Sequence, residues 1–74
     1  MDLDRAKPVW PQVLEELRRR LTAGVYRPGD RFPSVNDLAA ELDVAPSTIQ
    51  KAFVALREEG KLRTVLGQGS FVAE

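Results

Sequence analysis

The sequence predicts a mainly α-helical domain with a small β-sheet at its C-terminal end. Three stretches place apolar residues at the i, i+3, i+4 spacing of an amphipathic helix, and turn or capping residues bound each stretch. The last stretch instead has short β-prone runs around two closely spaced glycines, which is typical of a tight hairpin. A chain of 74 residues holds one domain at most, so these elements share a single small core.

The first helix is predicted over residues 9–23. Its apolar residues fall on one face: Trp10, Val13, Leu14, Leu17 and Leu21. Pro11 is tolerated in the first turn, where its missing N–H costs little, and Gly24 is expected to end the helix. The three arginines Arg18–Arg20 are expected to be solvated and to pair with the two glutamates that precede them.

The connector after this helix contains a predicted turn. Pro28 and Gly29 fit the two central positions of a type II turn, because glycine accepts the positive φ of the second one. Residues 31–32 are expected to form a strand of one or two residues before Pro33.

The second helix is predicted over residues 34–42 and begins with a capping box. The Ser34 hydroxyl is expected to accept an N–H of the first turn, and the Asp37 carboxylate to bond back to the N-cap. The apolar stripe of this helix comprises Val35, Leu38, Ala39 and Leu42.

The third helix is predicted over residues 46–59, with Pro46 as its first residue and Gly60 as its stop. Its inward stripe comprises Ile49, Ala52, Phe53 and Leu56. Two short helices joined by about four residues are typical of a helix-turn-helix. A hairpin, or wing, predicted over residues 61–73 then completes a winged helix-turn-helix, with three helices and one C-terminal hairpin.

Composition excludes several classes of function. The chain has no Cys and no His, which removes disulfides, thiol nucleophiles, imidazole bases and nearly every transition-metal site. We therefore expect no enzyme activity, no metal and no cofactor. The start MDLDRAKP lacks the apolar region of a signal peptide, and no apolar run approaches the roughly 18 residues of a membrane span. A cytoplasmic protein without a membrane partner is expected.

The outward face of the third helix carries short hydrogen-bonding side chains where a solvated helix usually carries Glu–Lys pairs. Ser47 and Lys51 point outward, with Thr48 and Gln50 on the two flanks. Such side chains suit base edges in a DNA major groove, where Gln pairs with adenine and Lys contacts guanine or phosphate. Phosphates also bind at helix N-termini, which adds Ser34 as a candidate contact.

A structural interpretation of the same residues stays open. Ser34 is a helix cap first, with a phosphate contact as its second role, whereas Ser47 fits a cap and a DNA contact equally. Taken singly, Lys51 and Arg63 are typical solvated charges. The wing glycines are turn formers in either case. Net charge is zero and the isoelectric point is about 6.3, although the segment from the third helix onward is slightly basic. The DNA-binding hypothesis depends on the combination of helix, preceding capped helix and hairpin.

Four segments, in order, resemble the N-terminal winged-helix domain of GntR-type bacterial transcription regulators. PVWPQV resembles the opening Pro-Leu-Tyr-x-Gln-Ile of that family, and GVYRPGDRFPSVNDLAAEL its Gly-x-x-x-Pro-Gly-x-x-Leu-Pro-Ser-x-x-x-Leu-Ala run. VAPSTIQKAFVALREEG is similar to the recognition-helix segment, and GQGSFV to the wing motif Gly-x-Gly-Thr-Phe-Val. The resemblance covers the chain from Pro8 onward.

The resemblance implies DNA contacts along the third helix and an entry of the wing tip into the minor groove. With the residues argued above, the candidate DNA-binding set is Ser34, Asn36, Pro46, Ser47, Thr48, Gln50, Lys51, Arg63, Gly67 and Gln68. The family commonly has Arg where Asn36, Pro46 and Gln50 stand, so the base preferences of typical members do not transfer. Proline at position 46 is similar to the YtrA-type branch of the family.

The resemblance implies sequence-specific binding of double-stranded DNA by a bacterial transcription regulator, with repression as the expected output. Two copies are expected on a palindromic operator. Family members have a second, C-terminal domain that dimerises and binds a small-molecule effector. The chain ends just past the wing, so we expect homodimerisation and effector binding to reside in a longer protein.

Two alternatives remain at this level. The first alternative is that the domain is a protein-interaction module, which the neutral charge and the three absent arginines favour. The second alternative is that it is the N-terminal DNA-binding domain of a MocR-like regulator. In such a regulator, the domain is followed by a region with the fold of a PLP-dependent aminotransferase.

Overall fold

The computed structural model describes residues 3–74, so the first two residues of the predicted domain lie outside the described residues. The elements are α1 (Trp10–Thr22), α2 (Val35–Leu42), α3 (Pro46–Glu58), β1 (Leu62–Val65) and β2 (Gly69–Val72). Three helices precede one antiparallel hairpin, which confirms the predicted mainly α winged helix-turn-helix. Each helix bound lies within one residue of the expected one. Among the helices of residues 3–74, none combines the length and apolar composition that a bilayer crossing needs.

The third helix is the centre of the domain, because α1, α2 and β1 all pack against it. Four of its residues, Ile49, Ala52, Phe53 and Leu56, are buried, as the apolar spacing predicts. The rest of the core consists of Val13, Leu14, Leu17, Phe32, Leu38, Ala39, Leu42, Leu62 and Val72. Since no buried residue in this part of the chain has a polar side chain, the side chains of the core stabilise the fold through apolar burial.

The helix starts agree only in part with the predicted caps. The Ser34 hydroxyl accepts a hydrogen bond from the Asp37 N–H at 3.0 Å and caps α2. The second half of the predicted capping box is wrong, because the described residues contain no bond from the Ser34 N–H back to the Asp37 carboxylate. Pro46 is the first residue of α3, and Ala45 before it provides no side-chain cap. The α3 N-terminus is therefore less well capped than that of α2.

The connector between α1 and α2 forms a turn and then pairs with the hairpin through one isolated β-bridge. The Asp30 N–H donates to the Arg27 carbonyl at 3.0 Å, and Gly29 has a φ of +87°, which confirms the type II turn. The predicted strand is a single bridge between Arg31 and Phe71. Next to this bridge, the Phe32 ring packs edge-on against Phe53 of α3, with centroids 5.5 Å apart.

The arginines of α1 pair with the preceding glutamates as predicted, and also with other helices. Arg18 bonds Glu15 and, across the domain, Glu59 at the end of α3. Arg20 bonds Glu16 at 2.8 Å and also reaches Glu41 of α2. These cross-helix pairs join α1 to both other helices.

The Glu16 carboxylate receives two arginines. Arg19 donates to it at 2.8 and 3.1 Å, and Arg20 at 2.8 Å. The bonds from Arg19, and then those from Arg20, lower the pKa of Glu16 to about 2. The charged form of Glu16 is therefore favoured by the folded state.

Candidate nucleic-acid interface

The outward face of α3 is exposed and polar, as the sequence predicts. Ser47, Gln50 and Lys51 are exposed in the structure, and Thr48 is half-buried. None of these side chains packs into the core, because Ile49, Ala52 and their partners occupy the inner face. Val54, 43% exposed, is the apolar member of the outward face. The first two turns of α3 therefore present hydrogen-bonding groups to solvent.

Two surface depressions lie on either side of this helix. The first, which we call the wing groove, lies between α3, the start of α2 and the hairpin. It is lined by Ser34, Val35, Gln50, Phe53, Val54, Arg57, Thr64, Gly69 and Ser70. The second, which we call the α1 groove, is lined by Pro8, Val9, Trp10, Ser47, Thr48 and Lys51. Four of the five predicted contacts of α3 are thus divided between two depressions: Gln50 lines the wing groove, and Ser47, Thr48 and Lys51 line the α1 groove.

In the α1 groove, Lys51 is held against an aromatic ring. Its ammonium nitrogen lies 5.7 Å from the centre of the Trp10 ring, within the range of a cation–π contact. The side chain remains exposed and makes no salt bridge to any described acid. Its charge is therefore available to an external partner while its position is restrained by α1.

In the wing groove, a short chain of polar contacts runs from α3 to the hairpin. Arg57 Nη1 donates to Thr64 Oγ1 at 3.3 Å, and the hydroxyl oxygens of Thr64 and Ser70 lie 3.4 Å apart. The sequence-based candidate set contains Gln50 and Ser34 from this groove but omits Arg57, Thr64 and Ser70. The two-residue period of a strand could have indicated the two hydroxyls. Thr64 lies two residues from buried Leu62, and Ser70 two residues from buried Val72, so each shares a face of the hairpin with a core residue.

The hairpin register separates Arg63 from the wing groove. Arg63 pairs with Phe71, whereas Thr64 pairs with Ser70. Successive side chains of a strand point to opposite faces, so Arg63 lies on the face away from the two hydroxyls. Its predicted DNA contact would have to come from that outer face.

The turn of the hairpin contains the remaining wing candidates. The Gln68 N–H donates to the Val65 carbonyl at 3.0 Å, and Gly67 has a φ of +79°, a conformation that a side chain would strain. Gly67 and Gln68 are exposed. Leu66, which sequence reasoning passed over, is 98% exposed at the same turn.

The other two candidates lie at helix starts. Asn36 is the second residue of α2 and Pro46 the first residue of α3, and both are exposed. Ser34 and Val35, which precede Asn36, line the wing groove with Gln50, so the start of α2 lies beside α3.

Positive charge is unevenly compensated over residues 3–74. Six cations pair with acids in this part of the chain: Arg5, Lys7, Arg18, Arg19, Arg20 and Lys61. The described cations without such a pair are Arg27, Arg31, Lys51, Arg57 and Arg63. Lys51 and Arg57 belong to α3, Arg63 to the hairpin, and Arg31 bridges to the hairpin. A chain with zero net charge therefore presents uncompensated positive charge around α3 and the wing.

Comparison with known proteins gives consistent matches. A family model described as bacterial regulatory proteins, gntR family, matches residues 11–72. The chain is 31% identical over its whole length to the HTH-type transcriptional repressor YtrA of Bacillus subtilis, of which it spans 57%.

Solved structures agree with that match. A GntR family transcriptional regulator from Listeria monocytogenes superposes with a TM-score of 0.93 at 36% identity, covering 97% of this chain and 63% of that one. AraR(DBD) in complex with operator ORR3 superposes with a TM-score of 0.82 at 36% identity, covering 86% of this chain and 77% of that one. The chain thus spans less than two thirds of YtrA and of the Listeria protein.

Proposed function

The chain belongs to the GntR family of bacterial regulatory proteins, and from this premise we propose that it binds double-stranded DNA sequence-specifically as part of a transcription regulator. In the proposed complex, α3 enters the major groove and the Gly67 turn of the hairpin lies at the minor groove. Repression is the proposed output, since YtrA is a repressor by name. Binding, not catalysis, is the proposed activity, and it requires no cofactor.

The observation that carries the proposal is the distribution of paired and unpaired charge. Within residues 3–74, four of the five cations without an acid partner, all except Arg27, lie on α3 or at the hairpin, whereas the arginines of α1 pair with glutamates. An uncompensated basic surface attracts phosphate and releases counterions on binding. The short polar side chains between these cations supply donors and acceptors for base edges.

Each candidate residue has a proposed role in this complex. Gln50 pairs with an adenine, while Ser47 and Thr48 contact bases or phosphates at close range. Lys51 contacts guanine or phosphate. At the two helix starts, Ser34, Asn36 and Pro46 contact the DNA backbone. In the wing, Arg63, Gly67 and Gln68 contact the DNA backbone.

A dimer on a palindromic operator is the proposed functional form. Half-sites one helical turn apart would place the two α3 helices about 34 Å from each other. We assign dimerisation and effector binding to regions outside these 74 residues, since the chain spans 57% of YtrA. The proposed location is the cytoplasm, where bacterial DNA resides.

Selection from a random duplex library, followed by titration at several salt concentrations, tests the proposal. A single short domain is expected to bind its selected half-site weakly, with a dissociation constant of about 1 µM or higher at physiological salt. Affinity should fall steeply with salt, by about 0.9 logarithmic units per phosphate contacted for each tenfold increase. Recovery of no shared motif would rule out sequence-specific binding by this chain.

A protein-interaction function is the second candidate, favoured by two exposed apolar side chains. Val54 is 43% and Leu66 98% exposed, at the outward face of α3 and at the wing turn. An apolar contact would give an affinity that changes little with salt. The same salt titration therefore separates the two functions.

A further inference from the structure

We propose that Arg57, Thr64 and Ser70 form a binding site for one phosphodiester group of the DNA backbone. The site lies in the wing groove, between the helix proposed to enter the major groove and the hairpin proposed to reach the minor groove. A backbone strand separates these two grooves of a duplex, so it has to pass between α3 and the hairpin. This inference rests on the proposed function and names the residues that would hold that strand.

Arg57 supplies the charge and most of the donors. Its guanidinium has five N–H groups, and in the described residues only one side-chain bond is found, the 3.3 Å bond to Thr64. No acid of residues 3–74 pairs with it. An arginine with a fork of free donors and no carboxylate partner is well suited to bind the oxygens of a phosphate bidentately.

The two hydroxyls provide further donors from the opposite wall. Thr64 Oγ1 accepts from Arg57, which leaves its own hydrogen free to donate. Ser70 lies directly across the hairpin from Thr64, with the two oxygens 3.4 Å apart. A phosphate oxygen that replaced this weak contact would accept from both hydroxyls, as well as from Arg57.

The surroundings of the site also suit an anion. Gly69 adds no side chain to the wall, and the Arg31 guanidinium lies beside it, since a methyl group placed there would meet Arg31 Nη2 at 3.5 Å. Ser34, at the N-terminus of α2, lines the same groove, where the helix dipole is positive. The carboxylate of Asp37 would repel an anion, but Asp37 lines a separate depression with Arg31 and Ser34.

Methylphosphonate scanning tests the site directly. One backbone phosphate at a time is made neutral in a duplex that the wild-type chain has selected from a random library. We expect one position, between the two grooves, at which neutralisation weakens wild-type binding by about tenfold, as the loss of a charge-assisted hydrogen-bond cluster would. Arg57→Gln should weaken binding to the unmodified duplex by a similar factor and make the salt dependence shallower by about one unit.

The losses of affinity caused by Arg57→Gln and by the methylphosphonate should not add. This non-additivity distinguishes a phosphate contact from a structural role of Arg57. On the Arg57→Gln background, the same methylphosphonate is expected to cost less than about twofold, because the contact is already lost. If Arg57 acted only by holding the hairpin against α3, the variant would retain the full methylphosphonate penalty. Thr64→Val and Ser70→Ala should show the same position-specific loss at smaller size.

Arg27 provides the matched control. It is also an arginine without an acid partner in residues 3–74, but it lies in the Pro28–Gly29 turn, whose backbone bonds to Val72 at the far end of β2 from the Gly67 turn. Arg27→Gln should keep wild-type affinity within about twofold, as for an ordinary surface change. It should also keep full sensitivity to the methylphosphonate.

The proposed function and this inference fail in different ways. If the wild-type chain selects no duplex, sequence-specific DNA binding is excluded, and with it the proposed function on which the phosphate site rests. If the wild-type chain selects a duplex but Arg57→Gln keeps its affinity, its salt slope and the methylphosphonate penalty, only the phosphate site is overturned.

Discussion

The ammonium nitrogen of Lys51 lies 5.7 Å from the centre of the Trp10 ring, so that a cation–π contact joins the outward face of α3 to the start of α1. Trp10 is the only tryptophan of the chain. It also lines the α1 groove together with Ser47 and Thr48. One intrinsic fluorophore therefore lies at the edge of the proposed DNA interface.

DNA binding should change the fluorescence of Trp10, because a phosphate or base that engages Lys51 draws the ammonium away from the ring. We expect the change to follow the same isotherm as the anisotropy of a labelled duplex. Lys51→Met, which keeps an unbranched chain without the charge, should weaken binding. A loss on all duplexes alike, with a salt slope shallower by about one unit, would assign Lys51 to a phosphate, and a loss confined to one base pair would assign it to a guanine. Anisotropy that reports binding while Trp10 emission stays constant would contradict a DNA contact at this groove.

Gln50→Ala should relax the preference for one base pair of the selected site. Gln50 is exposed and lines the wing groove, and a bidentate pair with adenine contributes about 1–3 kcal/mol of discrimination. Affinity should therefore fall for the selected duplex and change little for a duplex with that base pair altered. Competition binding with all single base-pair variants of the site measures this.

Val54→Ala serves as the control for Gln50. It shortens another side chain of the same groove but removes no hydrogen-bonding group. The base preferences of this variant should match those of the wild type. Identical preference profiles for Gln50→Ala and the wild type would show that Gln50 does not contact a base.

Glu16→Gln should destabilise the fold at neutral pH and lose this effect in acid. Arg19 and then Arg20 lower the pKa of Glu16 from 4.5 to about 2, so the folded state favours the carboxylate. The stability that Glu16 contributes is complete above pH 4.5 and is lost as the pH falls from there to about 2. At pH 7 we expect a loss of about 1–2 kcal/mol in the free energy of unfolding.

Urea denaturation at pH 7 and pH 3 measures this difference. The difference in the free energy of unfolding between the wild type and Glu16→Gln should be smaller at pH 3 than at pH 7. Glu58→Gln is the control, because Glu58 is exposed and makes no salt bridge within the described residues. A difference of the same size at both pH values would mean that Glu16 stabilises the fold in a way unrelated to its charge.

The sequence was sufficient to predict most of the fold, because each element depends on local signals. Ser34 caps α2, Pro46 begins α3, and the 3.6-residue period selects Ile49, Ala52 and their partners as the buried face. Such signals act within a few residues. These local signals do not depend on the angle at which neighbouring elements pack.

Contacts between elements could not be derived in the same way. The Arg18–Glu59 pair crosses 41 residues, and nothing in the local pattern indicates which acid Arg18 reaches. Likewise, residue type alone suggests Arg63 as a wing contact and does not point to Thr64. The hairpin register decides which of them faces α3, and Thr64 is the one that does. The capping box failed for a related reason, since the side-chain orientation of Asp37 is not fixed by its spacing from Ser34.

Ala45→Ser should stabilise the domain, because α3 has the backbone of a capped helix without the cap. Ala45 is extended, with φ −66° and ψ 145°, and makes no side-chain hydrogen bond to the first turn. The Thr48 N–H already donates to the Ala45 carbonyl at 3.0 Å. A serine hydroxyl at position 45 can accept the N–H of Ser47, which is worth about 0.5–2 kcal/mol. For a domain of this size, each kcal/mol raises the melting temperature by about 4–8 °C.

Ala45→Asp tests whether this cap lies at the DNA interface. Aspartate caps as well as serine and also interacts favourably with the helix dipole, so the thermal stability of the two variants should rise alike. Their DNA affinities should differ, because the aspartate places a negative charge beside Ser47 at the start of the proposed recognition helix. Ala45→Ser is expected to bind as the wild type does, and Ala45→Asp more weakly at low salt, with a smaller difference at high salt. Equal affinity of both variants in low salt would place the start of α3 away from the phosphate backbone and would contradict the proposed docking of this helix.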